Sequence, residues 1–357
     1  MIVARPWLVL HTLAISALVL TGCAGDPGAA VAASEGSLVE TEGMPDDLAR
    51  HIADPGHCPS DLLDHVYTVQ HHVTVGPNRS VHVVEMFTLR AFLRPVRRGA
   101  LLLPGPVSVA SFYEIDVDGY RFQSDLARQG MFTFAVEYEG TGESTYPTDG
   151  FSVSQDYLVD ETRTVLGAVR SLRHIPRVDI IGESVGGGIA AELCADASRT
   201  RSCVLASMVY LHITPFAQAV FLDPGFIAFL ESAPNGYLNV GPPLYFNVVE
   251  RSSPDVTAAI LATQPGVYSV APLLDPANIP WWDPTQANVP ALLIAGTEDD
   301  IEAQDDPELL AAAYGSARRH QPTTTIVRIT GAGHIPRVEP APINGQFRDA
   351  VLSFLHL

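Results

Sequence analysis

A chain of 357 residues with 40 acidic and 21 basic side chains carries a net charge of −19, which argues against nucleic acid as a partner, since phosphate binding needs a basic patch, and otherwise serves solubility. A hydrophobic fraction of 47% is that of a globular protein, and the length suits one large domain with an insertion, or two small domains. All 21 basic residues are arginine; without lysine, Schiff-base chemistry, Walker-type phosphate loops and Ser-x-x-Lys hydrolases are excluded, because each needs the ammonium.

The chain opens with one early cation, Arg5, and an apolar run from Trp7 to Leu20 that is short for a membrane span and is ended at once by "TGCAGDPG". "LTGC" at Leu20–Cys23 resembles the lipobox of bacterial lipoproteins. That resemblance implies cleavage before Cys23, acylation of the cysteine and a lipid anchor in a membrane. With Ala24 rather than aspartate after it, the membrane expected in a two-membrane cell is the outer one. The alternative is a secretory signal cut near Val31–Ser34, which would leave a secreted protein. Either way the chain leaves the cytoplasm. Residues 24–60, rich in Ala, Gly, Asp, Glu and Pro, read as a tether.

From there strands and helices alternate. "HVYTVQHHVTV" (His65–Val75) and "SVHVVEMFTLRAFL" (Ser80–Leu93), joined by the turn signal "GPNR", predict an antiparallel hairpin. "GALLLP" (Gly99–Pro104) is a short all-apolar run, as in a strand buried on both faces. A helix with a glycine stop follows (Tyr120–Gly130), then strand "MFTFAVEY", helix "SQDYLVDETRTVLGAVRSLR", strand "RVDIIG", helix "SVGGGIAAELCADA" and strand "CVLASMVY". The pattern breaks between residues 211 and 285, which are dense in Pro and aromatics. Some seventy such residues are too many for a loop and read as an inserted cap. It resumes with strand "VPALLIAG", helix "DPELLAAAYGSA", strand "TTTIVRIT" and helix "NGQFRDAVLSFLHL". The predicted class is α/β, a mainly parallel sheet with helices on both faces; residues 61–210 and 286–357 form the core and 211–285 the cap.

Among the cysteines after Cys23, Cys194 and Cys203 either pair, with Cys58 left over, or all three are buried thiols; none has zinc spacing. His57, His65, His71, His72 and His82 gather near the hairpin and read as solvated strand faces rather than a metal site.

The chemistry concentrates at three loops. "IIGESVGG" sets Ser184 between a buried strand and a glycine-rich helix start, the context of a G-x-S-x-G nucleophile elbow. There the N–H of Val185 is poised for an oxyanion. A serine needs a base, and the base an orienting acid. "LLIAGTEDDI" puts Asp299, with Asp300 beside it, just past one strand, and "VRITGAGHIP" puts His334 just past the next, so all three groups emerge at the carboxyl edge of the sheet.

With these motifs in this order, and with "EYEGTGES" (Glu137–Ser144) similar to a D-x-x-G-x-G-x-S loop, the chain from Val66 to Leu357 resembles the α/β-hydrolase family. The resemblance implies Ser184 as nucleophile, His334 as general base and acid, and Asp299 as its orienter, with neither cofactor nor metal. It also marks a departure. Where the family carries His-Gly-x and draws an oxyanion donor from x, this chain has "LPGPVS", and Pro106 at x has no N–H to give. Val107 is then the candidate donor. The expected activity is an exported serine hydrolase cleaving an ester or related acyl bond of a hydrophobic small molecule. Peptidase, thioesterase, lactonase and carbon–carbon hydrolase activities share the same residues, and a non-catalytic envelope protein on the same fold is the reading that Pro106 favours.

Overall fold

The computed structural model describes residues 31–32, 38–42, 60–94, 96–105, 107–207, 224–239, 251–264, 266–274, 289–299 and 323–357. The expected lipobox at Cys23, residue Cys58, the helix "DPELLAAAYGSA" and "WWDP" (Trp281–Pro284) lie outside them.

The strands are β1 (Val31–Ala32), β2 (Leu38–Glu42), β3 (Val66–Gly76), β4 (Arg79–Thr88), β5 (Gly99–Leu103), β6 (Phe132–Glu137), β7 (Val178–Glu183), β8 (Thr200–Ala206), β9 (Tyr237–Asn239), β10 (Val267–Ser269), β11 (Ala291–Gly296) and β12 (Thr324–Ile329). Ten of them make one sheet in the order β1-β2-β3-β4-β6-β5-β7-β8-β11-β12. The run from β6 to β12 is parallel throughout, and β3 and β4 form the antiparallel hairpin expected from the sequence. Asn78, at φ 58°, makes its turn. The second half of the hairpin is shorter than its apolar run suggests, because Leu89–Leu93 coils into a helical turn.

Residues Leu38–Glu42 correct the expected tether. They pair antiparallel with β3, Val39 opposite Val73 and Glu42 opposite Gln70. An open strand edge presents unpaired N–H and C=O groups, and a segment of extended character nearby in the chain satisfies them.

The longer helices are α1 (Phe122–Arg128), α2 (Gln155–Arg173), α3 (Val185–Leu193), α4 (Pro224–Glu231), α5 (Pro254–Thr263) and α6 (Ile343–Leu355). Ser154 caps α2 by accepting the Tyr157 N–H, and Gly130, at φ 80°, stops α1 where the sequence predicts it. Strand alternation sorts the core into two layers. Leu101, Phe134, Ile180, Leu205 and Leu293 meet Val165, Val169 and Ile189 of α2 and α3. Leu102, Ala135, Ile181, Val204 and Leu292 meet Phe122 and Leu126 of α1 and Phe347 and Val351 of α6. With helices on both faces, the central strands are largely apolar, and β5, β6, β7 and β11 are buried along their whole length, so the few polar side chains in them, Glu137 and Glu183 included, need partners.

Cys194 and Cys203 are joined by a disulfide, which fastens the end of α3 to β8. The described parts of 211–285 include α4, α5 and the antiparallel pair β9–β10. They dock on loops at the carboxyl edge of the sheet. The Ser269 N–H donates to Gly140 O (3.2 Å), and Val256 and Ile260 of α5 pack with Phe112, Ile115, Ile335 and Val338.

The hairpin histidines also need correction, since His71 and His82 are buried, not solvated. Each pays its burial with a carboxylate, His71 with Glu85 of the same hairpin and His82 with Glu137 of β6. His71 Nε2 lies 2.9 Å from Glu85 Oε2, and Glu85 also takes both Nε and Nη2 of Arg173 at 2.6 Å. Burial alone would raise the Glu85 carboxyl, but Arg173 and His71 override it and bring it from 4.5 down to about 2. The folded state thus binds this proton less readily than the unfolded chain does. The stabilisation is complete above 4.5 and is lost as pH falls from there towards 2. Arg173→Ala strands a buried carboxylate and is expected to cost about 3–5 kcal/mol at neutral pH. Urea titrations of both proteins should show the gap narrowing as pH falls through the acid range. A constant gap would refute the assignment.

Candidate active site

Ser184 links β7 to α3 at φ 56° and ψ −124°, a conformation that a side chain adopts only when its surroundings impose it. They do so here. A Cβ on Gly182 would stand 2.1 Å from Gly186 O, and one on Gly186 would stand 2.1 Å from Leu103 O, so strand, turn and helix close only because both positions are glycine. The Ser184 N–H donates to Ala206 O (3.0 Å) and Ser184 O accepts from Gly187 N–H (2.9 Å). The turn is therefore held from both sides, and the hydroxyl is lifted above the sheet.

Asp299 and His334 arrive from the loops after β11 and β12, whose parallel pairing runs in register from Ala291–Thr324 to Gly296–Ile329. His334 Nε2 lies 3.0 Å from Ser184 Oγ, and His334 Nδ1 lies 2.9 and 3.1 Å from the two oxygens of Asp299. Asp299 and His334 are 5% and 4% exposed, while Ser184 is half-buried, so the chain of contacts runs from the interior to an accessible hydroxyl. Asp300 lies outside the described residues. The geometry lets the imidazole take a proton from Oγ while Asp299 accepts Nδ1–H, which fixes the tautomer and steadies the imidazolium.

The loop after β5 passes over the serine. A Cβ on Gly105 would be 3.6 Å from Ser184 Cβ. Two buried phenols hold this loop: Tyr113 donates to Leu103 O (2.8 Å) and Tyr138 to Pro104 O (3.2 Å). Burial pushes both hydroxyls well above the usual tyrosine range, Tyr113 further through Glu183, so they remain donors. Pro106 lies outside the described residues. Val107 is half-buried, and a Ser108 N–H to Gly105 O bond of 3.1 Å closes the turn around it. Val185 is the first residue of α3, and the N–H groups of a first helical turn have no carbonyl partner within their own helix.

Sequence reasoning missed a buried ion pair directly behind this site. Glu183, adjacent to Ser184, takes Nε and Nη2 of Arg337 at 2.6 and 2.9 Å. The same guanidinium donates to Phe112 O (2.6 Å) and sits 4.5 and 4.6 Å from the Phe112 and Tyr113 ring centres. It ties the elbow to the histidine loop three residues past His334. Glu339 acts on that loop too, accepting Gly333 N–H at 2.6 Å. The available signal was the acid at the second position of G-x-S-x-G, where a buried strand end demands a partner.

A thermophilic esterase from Thermogutta terrifontis superimposes with a TM-score of 0.58 at 17% identity, over 81% of this chain and 98% of that one. A monoacylglycerol lipase from Paleococcus ferrophilus gives 0.57 at 16%, over 77% and 98%. A bacterial membrane phospholipase A gives 0.57 at 18%, over 81% and 87%. Identities this low establish a shared fold and nothing finer. No curated protein matches the sequence. The model of the Alpha/beta hydrolase family matches residues 100–346, well over half of the chain and spanning the elbow, the acid loop and the histidine loop. This chain belongs to the alpha/beta hydrolase family.

Proposed function

We propose that the chain is a serine hydrolase of carboxylic esters or related acyl bonds, with Ser184 as nucleophile, His334 as general base and acid, and Asp299 as the group that orients it. The observation that carries this reading is the continuous contact from Ser184 Oγ through both nitrogens of His334 to Asp299. In the reaction Oγ bonds to the acyl carbon while its proton passes to Nε2. The tetrahedral oxyanion is met by the N–H of Val185 and, since Pro106 has none to give, by that of Val107. His334 then hands its proton to the departing alcohol, leaving an acyl-serine. Water, deprotonated by the same nitrogen, attacks that acyl group, and the acid leaves as Oγ recovers its proton. Every proton is accounted for by Ser, His and water, so the reaction calls for no cofactor.

Residues 211–285 serve in this reading as a cap, and their apolar, aromatic composition favours a hydrophobic small-molecule substrate. Solved structures of this fold include esterases, a lipase and a thioesterase, all of them acyl hydrolases, and an ester is the simplest acyl bond on which to test such a triad. Lipidation of Cys23 would hold the enzyme at the cell envelope; among the described residues no helix is long and apolar enough to cross a membrane.

A fluorophosphonate probe is expected to label Ser184 stoichiometrically, and p-nitrophenyl esters of increasing acyl length should then rank the pocket. An unlabelled serine in folded protein would favour a non-catalytic protein on this fold. Mass spectra of the same samples read the mature N-terminus: lipidated Cys23 supports the anchor, and a free terminus near Ser34 a secreted enzyme.

A further inference from the structure

His72 of β3 and His82 of β4 are direct partners in the antiparallel ladder, so their side chains leave the same face of the sheet, with ring centres 5.1 Å apart. The rung continues to Glu137 of β6, which is paired with His82. Glu137 is the acid of the "EYEGTGES" loop, and its carboxylate is fully engaged. It accepts His82 Nδ1–H at 2.9 Å, the Glu143 N–H at 2.8 Å and the Ala110 N–H at 3.2 Å. A carboxylate that already accepts two backbone N–H groups has no proton of its own to offer His82. Nδ1 is therefore the donor, and the neutral ring carries its lone pair on Nε2. That nitrogen lies 4.0 Å from Glu143 Oε2. One ligand atom each from His72, His82 and Glu143 falls within 4.8 Å of the others. The sequence had offered these histidines no carboxylate, because Glu143 stands some sixty residues further along the chain.

We infer that His72, His82 and Glu143 form a binding site for a divalent transition-metal ion of the zinc class. Around zinc at 2.0–2.1 Å, tetrahedral ligands stand about 3.4 Å from one another, so closing the site takes movements of about 1 Å. The Glu143 side chain, 65% exposed, has room for that movement. Two imidazoles and one carboxylate favour zinc, and other ions that accept nitrogen, over calcium and magnesium, which demand oxygen. A carboxylate behind the far nitrogen of a ligating histidine orients the ring and raises its basicity, and Glu137 holds that place. Three protein ligands leave a fourth position for water. The site borders a cavity of about 470 Å³, lined by His82, Glu137 and Glu143 among others. It shares no residue with Ser184, His334 or Asp299, so its fate is independent of the proposed hydrolysis. The bound ion would clasp the hairpin to residues 137–144 and, through Glu137 and Ala110, to the segment that follows the loop over Ser184.

The test uses the tag-free full chain, stripped with a chelator and titrated with zinc chloride by calorimetry. One ion per chain is expected, together with a rise in Tm, and excess magnesium should not displace it. His72→Ala and Glu143→Gln, both at partly or well exposed positions, should keep the fold by circular dichroism and each weaken binding at least about 10-fold. Glu137→Gln should weaken it indirectly, because Glu137 holds both His82 Nδ1 and the Glu143 N–H. Absence of binding to the wild type, or affinity unchanged in folded His72→Ala and Glu143→Gln, would overturn the assignment.

Discussion

Ser184→Ala is expected to lower the hydrolysis of a simple aryl ester by about 10⁴–10⁶-fold while leaving the fold intact. The loss is that large because no covalent route survives it. Ser184 Oγ is the atom 3.0 Å from His334 Nε2, and without it the imidazole can only activate water against an acyl carbon that nothing holds in line. The fold should tolerate the change. The backbone bonds of residue 184 to Ala206 and Gly187 do not involve the hydroxyl, and alanine bears the same φ of 56° at no greater cost than serine. His334→Ala should lose nearly as much, and the double variant little more than either single one, because the two residues act as a unit. Steady-state kinetics on purified variants, with Tm as the control, check this. Turnover within 10-fold of wild type in folded Ser184→Ala would sink the assignment of the nucleophile.

How far the sequence reveals such a site depends on whether its causes are local. The elbow is legible because its constraint is: two glycines two residues on either side of Ser184, a buried strand before them and a helix after. Asp299 and His334 are legible because parallel strands end on one edge, so residues just past "LLIAG" and "TIVRI" must converge with Ser184. The fold class follows from the alternation of strongly apolar strands with helices. Buried charge behaves differently. Glu183 and Arg337 are separated by 154 residues, Glu85 and Arg173 by 88, and His82 and Glu137 by 55, and no periodicity links members of such pairs. A histidine on a strand of partial alternation looks solvated until another segment supplies its carboxylate. The same limit hid the strand at Leu38–Glu42: its composition is that of a linker, and the open edge of β3 decides its conformation.

The acid is the next most costly position to change. Asp299→Asn should lower kcat by about 10⁴-fold with little change in KM. Asp299 is 5% exposed and spans His334 Nδ1 with both oxygens, at 2.9 and 3.1 Å, so it can only accept a hydrogen bond there. An asparagine of the same shape can present its NH₂ instead. The neutral imidazole then accepts at Nδ1 and carries its proton on Nε2, facing Ser184 Oγ as a donor that cannot take the hydroxyl proton. The side chain stays packed, so Tm should move little, and fluorophosphonate labelling of Ser184 should slow rather than vanish. Asp300→Asn provides the contrast, since its side chain follows the acid by one residue and should leave kcat within a few-fold of wild type. If Asp300→Asn proved the more damaging change, the orienting role would pass one residue along the loop, and His334 Nδ1 would have to turn away from the carboxylate it now faces.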